Sequence, residues 1–325
     1  MKKETRNLLI GSGIVATAVG AAAVVSHAIT KNLVNVAIDR IQPKTVTKAR
    51  SHINGSKKDK SEFWDWVDEA AKELESTPME TVEIVSKYDG EKLVGHLWTC
   101  EKAKRVVVAM HGWRSSWSKD FGIISKFWHE NDCNILFAEQ RGQGNSGGEY
   151  MGFGLLERYD CLDWVDFINE MGYNNLPIYL GGVSMGAATV LMTAGLSLPE
   201  NVHGIVADCG YTSPHAIWKH VAENNLHMHY GVLGNVASEM CRKKINIGTK
   251  EYSSVDAMKE CQVPVLFVHG TDDRFVPIEM TYENYKACAA PKRLLVVPGA
   301  EHGTSYIVDR EAYEEAVKKF WNDYD

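Results

Sequence analysis

A serine within the stretch GGVSMGAAT, residues 181–189, stands between two glycines in the pattern Gly-x-Ser-x-Gly. The apolar run PIYLGG before Ser184 predicts a strand, and the run MGAATVLMTAGL after it predicts a helix that begins at once. A strand that turns straight into a helix crowds its own backbone, so only glycine fits at positions 182 and 186. The serine at such a turn is strained and exposes its hydroxyl group. The pattern predicts a catalytic nucleophile, and a structural serine in a glycine-rich turn is the alternative.

A serine hydroxyl is a weak nucleophile until a base takes its proton, and two later segments offer suitable groups. The segment VLFVHGTDDRFVP ends a predicted strand and places Asp272 and Asp273 at its end. The segment LLVVPGAEHGTSY ends the next predicted strand and places His302 in a glycine-bounded loop. In a parallel sheet, the C-terminal ends of neighbouring strands share one edge. We therefore expect Ser184, one of the two aspartates and His302 to meet as nucleophile, acid and base.

The elements that would position these residues follow one another from residue 81 onward as short apolar runs separated by helical stretches. The first two runs are joined by Asp-Gly and predict an antiparallel hairpin, whereas the others predict a parallel sheet with helices on both faces. About fifty residues at 211–260 interrupt this alternation and predict a helical lid. The predicted strands are 81–88, 92–99, 105–110, 134–139, 177–182, 203–208, 264–269 and 293–298.

From about residue 81 to 322, the chain resembles the α/β-hydrolase superfamily. It is closest in pattern to bacterial esterases and to monoacylglycerol-lipase-like or serine-aminopeptidase-like members. The segment HGTDDRFVP resembles the HGxxDxxVP pattern of that superfamily and implies Asp273 as the acid, with Asp272 as the alternative. The segment GAEH resembles the loop before the last helix and implies His302 as the base.

Acyl transfer also needs hydrogen-bond donors for the charged oxygen of the tetrahedral intermediate. One donor is expected at the backbone N–H after the nucleophile, which belongs to Met185. The resemblance implies the other at Trp113, the residue after His-Gly in VVVAMHGWRSS, and makes His111 structural. The segment EQRGQGNSGGEY resembles a further loop of the superfamily, with Glu139 in place of the more usual aspartate. That position is not a triad member.

These features predict a serine hydrolase of the carboxylesterase or lipase type that needs neither metal nor cofactor. We expect Ser184, Asp273 and His302 to cleave a small-molecule ester or lipid-like substrate through an acyl-enzyme. A serine peptidase or amidase of the same fold is one alternative, although GAAT after the serine favours esters. A non-catalytic, membrane-bound interaction protein with a hydrolase-like fold is the other. The lid either lines an acyl pocket or packs on itself through Trp218, Leu226, Met228 and Tyr230.

The N-terminal region differs in composition from the rest of the chain. Residues 7–30 carry no charged side chain over a length that exceeds the roughly 20 residues of a bilayer-spanning helix. We predict residues 1–30 to be a single-pass anchor in a bacterial cell membrane, with a secretory signal sequence as the alternative. Basic residues flank both ends, so the positive-inside rule selects no side. Residues 31–80 are expected to form a polar connector and then an amphipathic helix that packs on the hydrolase domain, residues 81–325.

Charge and cysteine content exclude other classes of protein. The net charge of -7 argues against nucleic acid as a partner, since such binders usually carry a basic patch. Seven scattered cysteines without a CxxC pair argue against a disulfide scaffold or a zinc site. Four histidines of the predicted lid lack carboxylate or cysteine partners at ligand spacing, which favours packing over metal binding: His215, His220, His227 and His229. The sequence gives no indication of oligomeric state.

Overall fold

The computed structural model of the chain describes residues 26–41 and 61–325. The strands of the sheet, in chain order, are β1 Glu80–Val85, β2 Lys92–Trp98, β3 Arg105–Met110, β4 Cys133–Glu139, β5 Ile178–Val183, β6 Val202–Asp208, β7 Val265–Gly270 and β8 Lys292–Val297. They lie in the order β1-β2-β4-β3-β5-β6-β7-β8. Strand β2 pairs antiparallel with β1 and β4, and the other neighbours are parallel. The predicted eight-stranded, mostly parallel sheet with an antiparallel hairpin is confirmed.

Twelve α-helices are found in the described part of the chain. In chain order they are α1 at residues 26–38, α2 Ser61–Ser76, α3 Trp117–Phe121, α4 Ser125–Glu130, α5 Glu157–Ile168, α6 Met185–Thr193, α7 Pro214–His220, α8 Gly231–Ile245, α9 Ser254–Glu260, α10 Ile278–Ala287, α11 Ser305–Val308 and α12 Arg310–Tyr324. Short π-helical turns continue α5 and α7.

Helices cover both faces of the sheet, because its central strands are apolar on both sides. Strand β3 is buried along its whole length, and successive side chains of a strand point to opposite faces. On one face, Val108 packs in a core with Trp164 of α5 and Leu191 of α6. On the other face, Val107 packs in a core with Phe127 of α4. This layered packing fixes the C-terminal edge of the sheet, where the loops after β3, β5, β7 and β8 lie.

The insertion between β6 and β7 is shorter than the predicted 211–260. Helices α7 and α8 form the lid, whereas α9 packs against α6 and α10. Met258 of α9 is fully buried in the core beside the sheet. Helix α9 therefore belongs to the α/β body, and the insertion ends before Ser254. The sequence could not separate α9 from the lid because its apolar pattern is only two turns long.

Helix α1 occupies a stretch that the sequence divides between the anchor and the polar connector. The predicted boundary at residue 30 falls inside this helix, and the part of the connector up to residue 38 is helical. Val34 and Ile38 lie one turn apart on one side and are buried, with exposures of 2% and 0%. They pack in a core with Phe153 and Met185, directly after the predicted nucleophile. The helix is held by contacts to distant segments that its own sequence does not reveal.

Helix α2 lies in the segment for which the sequence predicts an amphipathic helix. Val67, Ala71 and Leu74 are buried along one side, at the spacing expected for a helix that packs through one face. Leu74 joins the core formed by α4 and the sheet. The helix packs on the domain.

The predicted membrane anchor falls mainly on residues 1–25, which lie outside the described residues. Within residues 26–41 and 61–325, no helix combines the length and the apolar character that crossing a bilayer requires.

Candidate active site

Ser184 lies between β5 and α6, at the turn that the glycine pattern predicts. Its backbone has φ 56° and ψ -114°, a left-handed conformation that costs energy for any residue other than glycine. A methyl group on Gly186 would overlap the carbonyl oxygen of Met110, and one on Gly182 would overlap the carbonyl of Gly186. The Ser184 N–H donates to the carbonyl of Asp208 at 2.9 Å, which ties the turn to the end of β6. The turn thus fixes the hydroxyl at the C-terminal edge of the sheet.

The structure brings Ser184, His302 and Asp273 into one chain of hydrogen bonds. Nε2 of His302 lies 2.9 Å from Ser184 Oγ, and Nδ1 lies 2.7 Å from Asp273 Oδ2. An ionised carboxylate can only accept, so Nδ1–H donates to Asp273 and leaves Nε2 to accept the Ser184 hydroxyl. Asp272 is exposed and accepts from the hydroxyl of Thr271 instead. Of the two aspartates that the sequence offers, Asp273 is the one beside the imidazole.

Asp273 is held in place by two backbone donors and lies next to a buried histidine. Its Oδ1 accepts the backbone N–H groups of Phe275 and Val276, each at 2.9 Å. Nε2 of His269, at the end of β7, lies 2.9 Å from the carbonyl oxygen of Val276 and 3.2 Å from Asp273 Oδ2, and Nδ1 lies 2.7 Å from the hydroxyl of Thr281. The sequence pattern assigns no role to His269, although this residue opens the HGTDDRFVP segment. Its contacts make His269 part of the support for the turn that carries Asp273.

Electrostatics favour an ionised Asp273 next to a basic imidazole. Burial alone would raise the pKa of Asp273, but the charge of His302 and hydrogen bonds from His269 and His302 lower it well below 3.8. Burial alone would lower the pKa of His302, but the charge and hydrogen bond of Asp273 outweigh it and raise that pKa above 6.5. The carboxylate therefore stabilises the protonated imidazole, which is what a general base needs when it takes a proton.

A second buried carboxylate, Asp208, lies near the site at the end of β6. Burial raises its pKa to about 6, and its Oδ1 accepts the hydroxyl of Ser305 at 3.0 Å. Its charge adds to the rise in the pKa of His302. No sequence pattern singles out Asp208, because an aspartate at the end of an apolar strand resembles an ordinary turn residue.

The carboxylate of Asp120 is one of the groups that hold the loop after β3, residues 111–116, next to Ser184. Asp120 accepts the N–H of Gly112 at 2.6 Å and the hydroxyl of Ser115 at 2.5 Å, one on each oxygen. His111 is buried, and its Nε2 accepts the N–H of Gln140 at 3.1 Å. His111 thus supports the loop through its contact with Gln140. It is not part of the chain of hydrogen bonds from Ser184 through His302 to Asp273.

Two backbone N–H groups remain unused beside the Ser184 hydroxyl. Among the hydrogen bonds of the described residues, those of Trp113 and Met185 have no acceptor. Met185 is the first residue of α6, where helical N–H groups have no partner within the helix. Gly112, which precedes Trp113, lies so close to Ser184 that an added Cβ would stand 3.5 Å from the serine Cβ. The N–H groups of Trp113 and Met185 are thus candidates for the predicted oxyanion donors.

A cavity of about 1680 Å³ opens over Ser184 and His302. It exceeds the roughly 300–1,000 Å³ of ordinary ligand pockets. Leu33 of α1 and Phe153 line the cavity, so it extends from the C-terminal edge of the sheet to α1. Four apolar residues of the predicted lid also line it: Trp218, Leu226, Met228 and Tyr230.

One group of side chains among the described residues has the spacing of a metal site. The ligand atoms of Cys209, Asp273 and His302 lie within 4.8 Å of one another. Burial raises the pKa of the Cys209 thiol well above its ordinary value, and a protonated thiol is a poor ligand. His302 already bonds to Asp273 through Nδ1 and to Ser184 through Nε2. The group is better described as part of the hydrogen-bonded site than as a metal centre.

The strand order, the strand–serine–helix turn and the edge at which the three side chains meet define a protein with the α/β-hydrolase fold. Solved structures agree. The esterase Pf2001 of Pyrococcus furiosus has a TM-score of 0.64 at 21% identity, over 78% of this chain and 93% of the other. Est1E of Butyrivibrio proteoclasticus, solved with ferulic acid bound, has a TM-score of 0.57 at 20% identity, over 75% of this chain and 98% of the other.

Similarity in sequence points the same way. The family model described as Serine aminopeptidase, S33 matches residues 101–243, which include Ser184 but end before Asp273 and His302. The uncharacterized protein YqkD of Bacillus subtilis is 28% identical over 58% of this chain and 61% of its own length. The uncharacterized protein YfhR of Escherichia coli K12 is 23% identical over 74% of this chain and 80% of its own length. The chain thus spans less than two thirds of YqkD.

Proposed function

We propose that this protein is a serine hydrolase that cleaves carboxylic esters through Ser184, His302 and Asp273. The observation that carries the proposal is the continuous chain of contacts from Ser184 Oγ through both ring nitrogens of His302 to Asp273, at 2.9 and 2.7 Å. A serine becomes nucleophilic when a base lies within hydrogen-bond reach and a third group orients that base. The strained backbone of Ser184 and the unused N–H groups beside it support the same role.

Each group has one task in the proposed reaction. Ser184 Oγ attacks the ester carbonyl carbon while His302 Nε2 takes the hydroxyl proton, and Asp273 stabilises the imidazolium. The carbonyl oxygen becomes an oxyanion that accepts the N–H groups of Trp113 and Met185. The bond to the alcohol then breaks, and the alcohol leaves with the proton from His302. A water molecule, deprotonated by His302, hydrolyses the acyl-enzyme and restores the serine.

The shape and lining of the cavity support an ester with an apolar acyl group. The cavity is large, and its lid wall is apolar and aromatic. One protein of the same fold, Pf2001, is an esterase by name, and another, Est1E, was solved with ferulic acid bound. The description of the family model, a serine aminopeptidase, supports the alternative that the bond cleaved is an amide.

Matched ester and amide substrates test which of the two bonds the protein cleaves. We expect the purified protein to hydrolyse p-nitrophenyl esters from acetyl to dodecanoyl and to act far more slowly on the matching p-nitroanilides. Activity should persist along the ester series, because the cavity over Ser184 is larger than ordinary ligand pockets. Faster release from the anilides would favour the peptidase alternative. A sharp preference for acetyl would contradict the apolar acyl group.

A matched pair of variants on α1 links that chain-length preference to the cavity. Leu33 lines the cavity, whereas Ile29 of the same helix is 41% exposed and is not among the cavity residues. We expect Leu33→Trp to shift the preference toward shorter esters by filling space, and Ile29→Trp to leave it unchanged. An equal shift in both variants would mean that the helix, and not the cavity wall, causes the effect.

We also propose that the N-terminal segment anchors the protein at a membrane. Only the sequence supports this, through the uncharged residues 7–30. Full-length protein expressed in bacteria is expected to remain in the membrane fraction after a high-salt wash. Complete release by the wash would contradict an anchor, as would a mature protein that lacks these residues.

A further inference from the structure

Arg114 follows the oxyanion residue Trp113 and has an unusual backbone. Its φ of 51° lies in the left-handed region. A residue other than glycine rarely adopts this conformation unless its surroundings hold it there. The arginine is also partly buried at the edge of the cavity. We call the loop after β3, residues 111–116, the oxyanion loop. Its conformation therefore depends on what the guanidinium group of Arg114 contacts.

The guanidinium group of Arg114 binds the C-terminal end of α1. It donates to the carbonyl of Val36 at 2.7 and 3.2 Å, to that of Asp39 at 2.5 Å and to that of Arg40 at 3.4 Å. The neighbouring indole N–H of Trp113 donates to the carbonyl of Ala37 at 2.7 Å. The last carbonyls of a helix lack partners within it and carry partial negative charge, so a planar cation with several donors suits them.

The end of α1 is itself fixed to the rest of the domain. The N–H of Met151 donates to the carbonyl of Ile38 at 2.7 Å. The guanidinium group of Arg40 donates to the carbonyls of Ser146 and Gly144 at 2.6 and 2.7 Å. An ion pair of 2.6 Å joins Asp39 to Lys244 of the lid helix α8. The end of α1 is thus joined to three other parts of the domain, to which it can connect the oxyanion loop.

From this geometry we infer that Arg114 is a positioning residue, which fastens the oxyanion loop to α1 and so holds the Trp113 N–H where the oxyanion forms. The inference rests on the proposed ester hydrolysis. It extends the active site to a helix that precedes residues 101–243, the part matched by the family model. It also assigns a function to α1 other than filling space in the core.

Steady-state kinetics of Arg114 variants of the full-length protein test this role. We expect Arg114→Ala to lower kcat for p-nitrophenyl butyrate by about 10²-fold, because a misplaced oxyanion donor weakens binding of the transition state. KM should change by no more than about twofold, since the loss falls on the transition state and not on the bound ester. Millimolar guanidinium chloride should restore part of kcat in this variant by occupying the vacated space.

Two further variants keep the test decisive. Arg114→Lys retains the charge but lacks the planar group that reaches several carbonyls, and an intermediate loss of kcat is expected. Arg310→Ala is the matched control, because Arg310 is exposed, pairs with Glu314 on α12 and is not among the residues that line the cavity. It should keep the wild-type kcat. Thermal unfolding followed by circular dichroism reports the folded fraction of every variant.

The outcomes separate this inference from the proposed function. An active wild-type protein with an unchanged kcat in folded Arg114→Ala would overturn the inference alone. Loss of kcat only in step with loss of folded protein, in both the Ala and Lys variants, would also overturn it, because Arg114 would then hold the fold and not the loop. A folded wild-type protein that hydrolyses no ester would overturn the proposed function and this inference together.

Discussion

Replacing Ser184 with alanine is expected to lower kcat/KM for p-nitrophenyl butyrate by about 10⁵-fold or more. The reason is that Ser184 Oγ is the hydroxyl that lies 2.9 Å from Nε2 of His302. Without the oxygen, the imidazole has no nucleophile to activate, and only binding and the oxyanion donors remain. The measurement is the initial rate of p-nitrophenol release by equal amounts of folded protein.

A second substitution at the same position separates loss of chemistry from loss of structure. The left-handed backbone of Ser184 suits glycine better than serine. Ser184→Gly should therefore be as inactive as the alanine variant yet melt at or above the wild-type temperature. Residual activity within about tenfold of wild type in either variant would contradict the assignment of Ser184 as the nucleophile.

The second large effect is expected at Asp273, with its neighbour Asp272 as the matched control. Asp273→Asn should lower kcat by about 10⁴-fold, because a neutral amide neither fixes the tautomer of His302 nor stabilises its protonated form. Asp272→Asn should keep close to full activity, since that carboxylate is exposed and bonds to Thr271. Equal losses in both variants would contradict the assignment, as would a larger loss at Asp272.

The dependence of activity on pH provides an independent test of the role of Asp273. A general base acts when neutral, so the wild-type rate should fall as the pH drops through the pKa of His302, which is raised above 6.5. Removal of the Asp273 charge takes away the main influence that raises this pKa. The midpoint of the remaining activity in Asp273→Asn should therefore move to lower pH. A midpoint that stays in place or rises would contradict the ion pair.

The chemistry-bearing residues could be found from the sequence because each one follows a recognisable strand. Ser184 has its two glycines, and His302 lies in a glycine-bounded loop after the last strand. The choice between Asp272 and Asp273 needed the resemblance to the superfamily. In the structure the difference is physical, since the turn after β7 presents the N–H groups of Phe275 and Val276 to Asp273 only.

What the sequence could not predict depends on contacts between distant segments. His269 and Asp208 gain their roles from side chains that meet them across the edge of the sheet, such as Thr281 and Ser305. Helix α1 is held by carbonyl contacts to Arg114, far along the chain. A local pattern of apolar and polar residues carries no information about such partners. The packing of α9 on α6 is a contact of the same kind, which the predicted insertion of residues 211–260 did not take into account.

The central claim is that Ser184 is an activated nucleophile, and labelling with a fluorophosphonate followed by mass spectrometry tests it most directly. Such a probe reacts with a serine whose proton a neighbouring base can take. We expect one phosphonyl group per wild-type chain, located by peptide mapping on Ser184, and none on Ser184→Ala. A folded wild-type protein that stays unlabelled, or that carries the label on another residue, would contradict the claim.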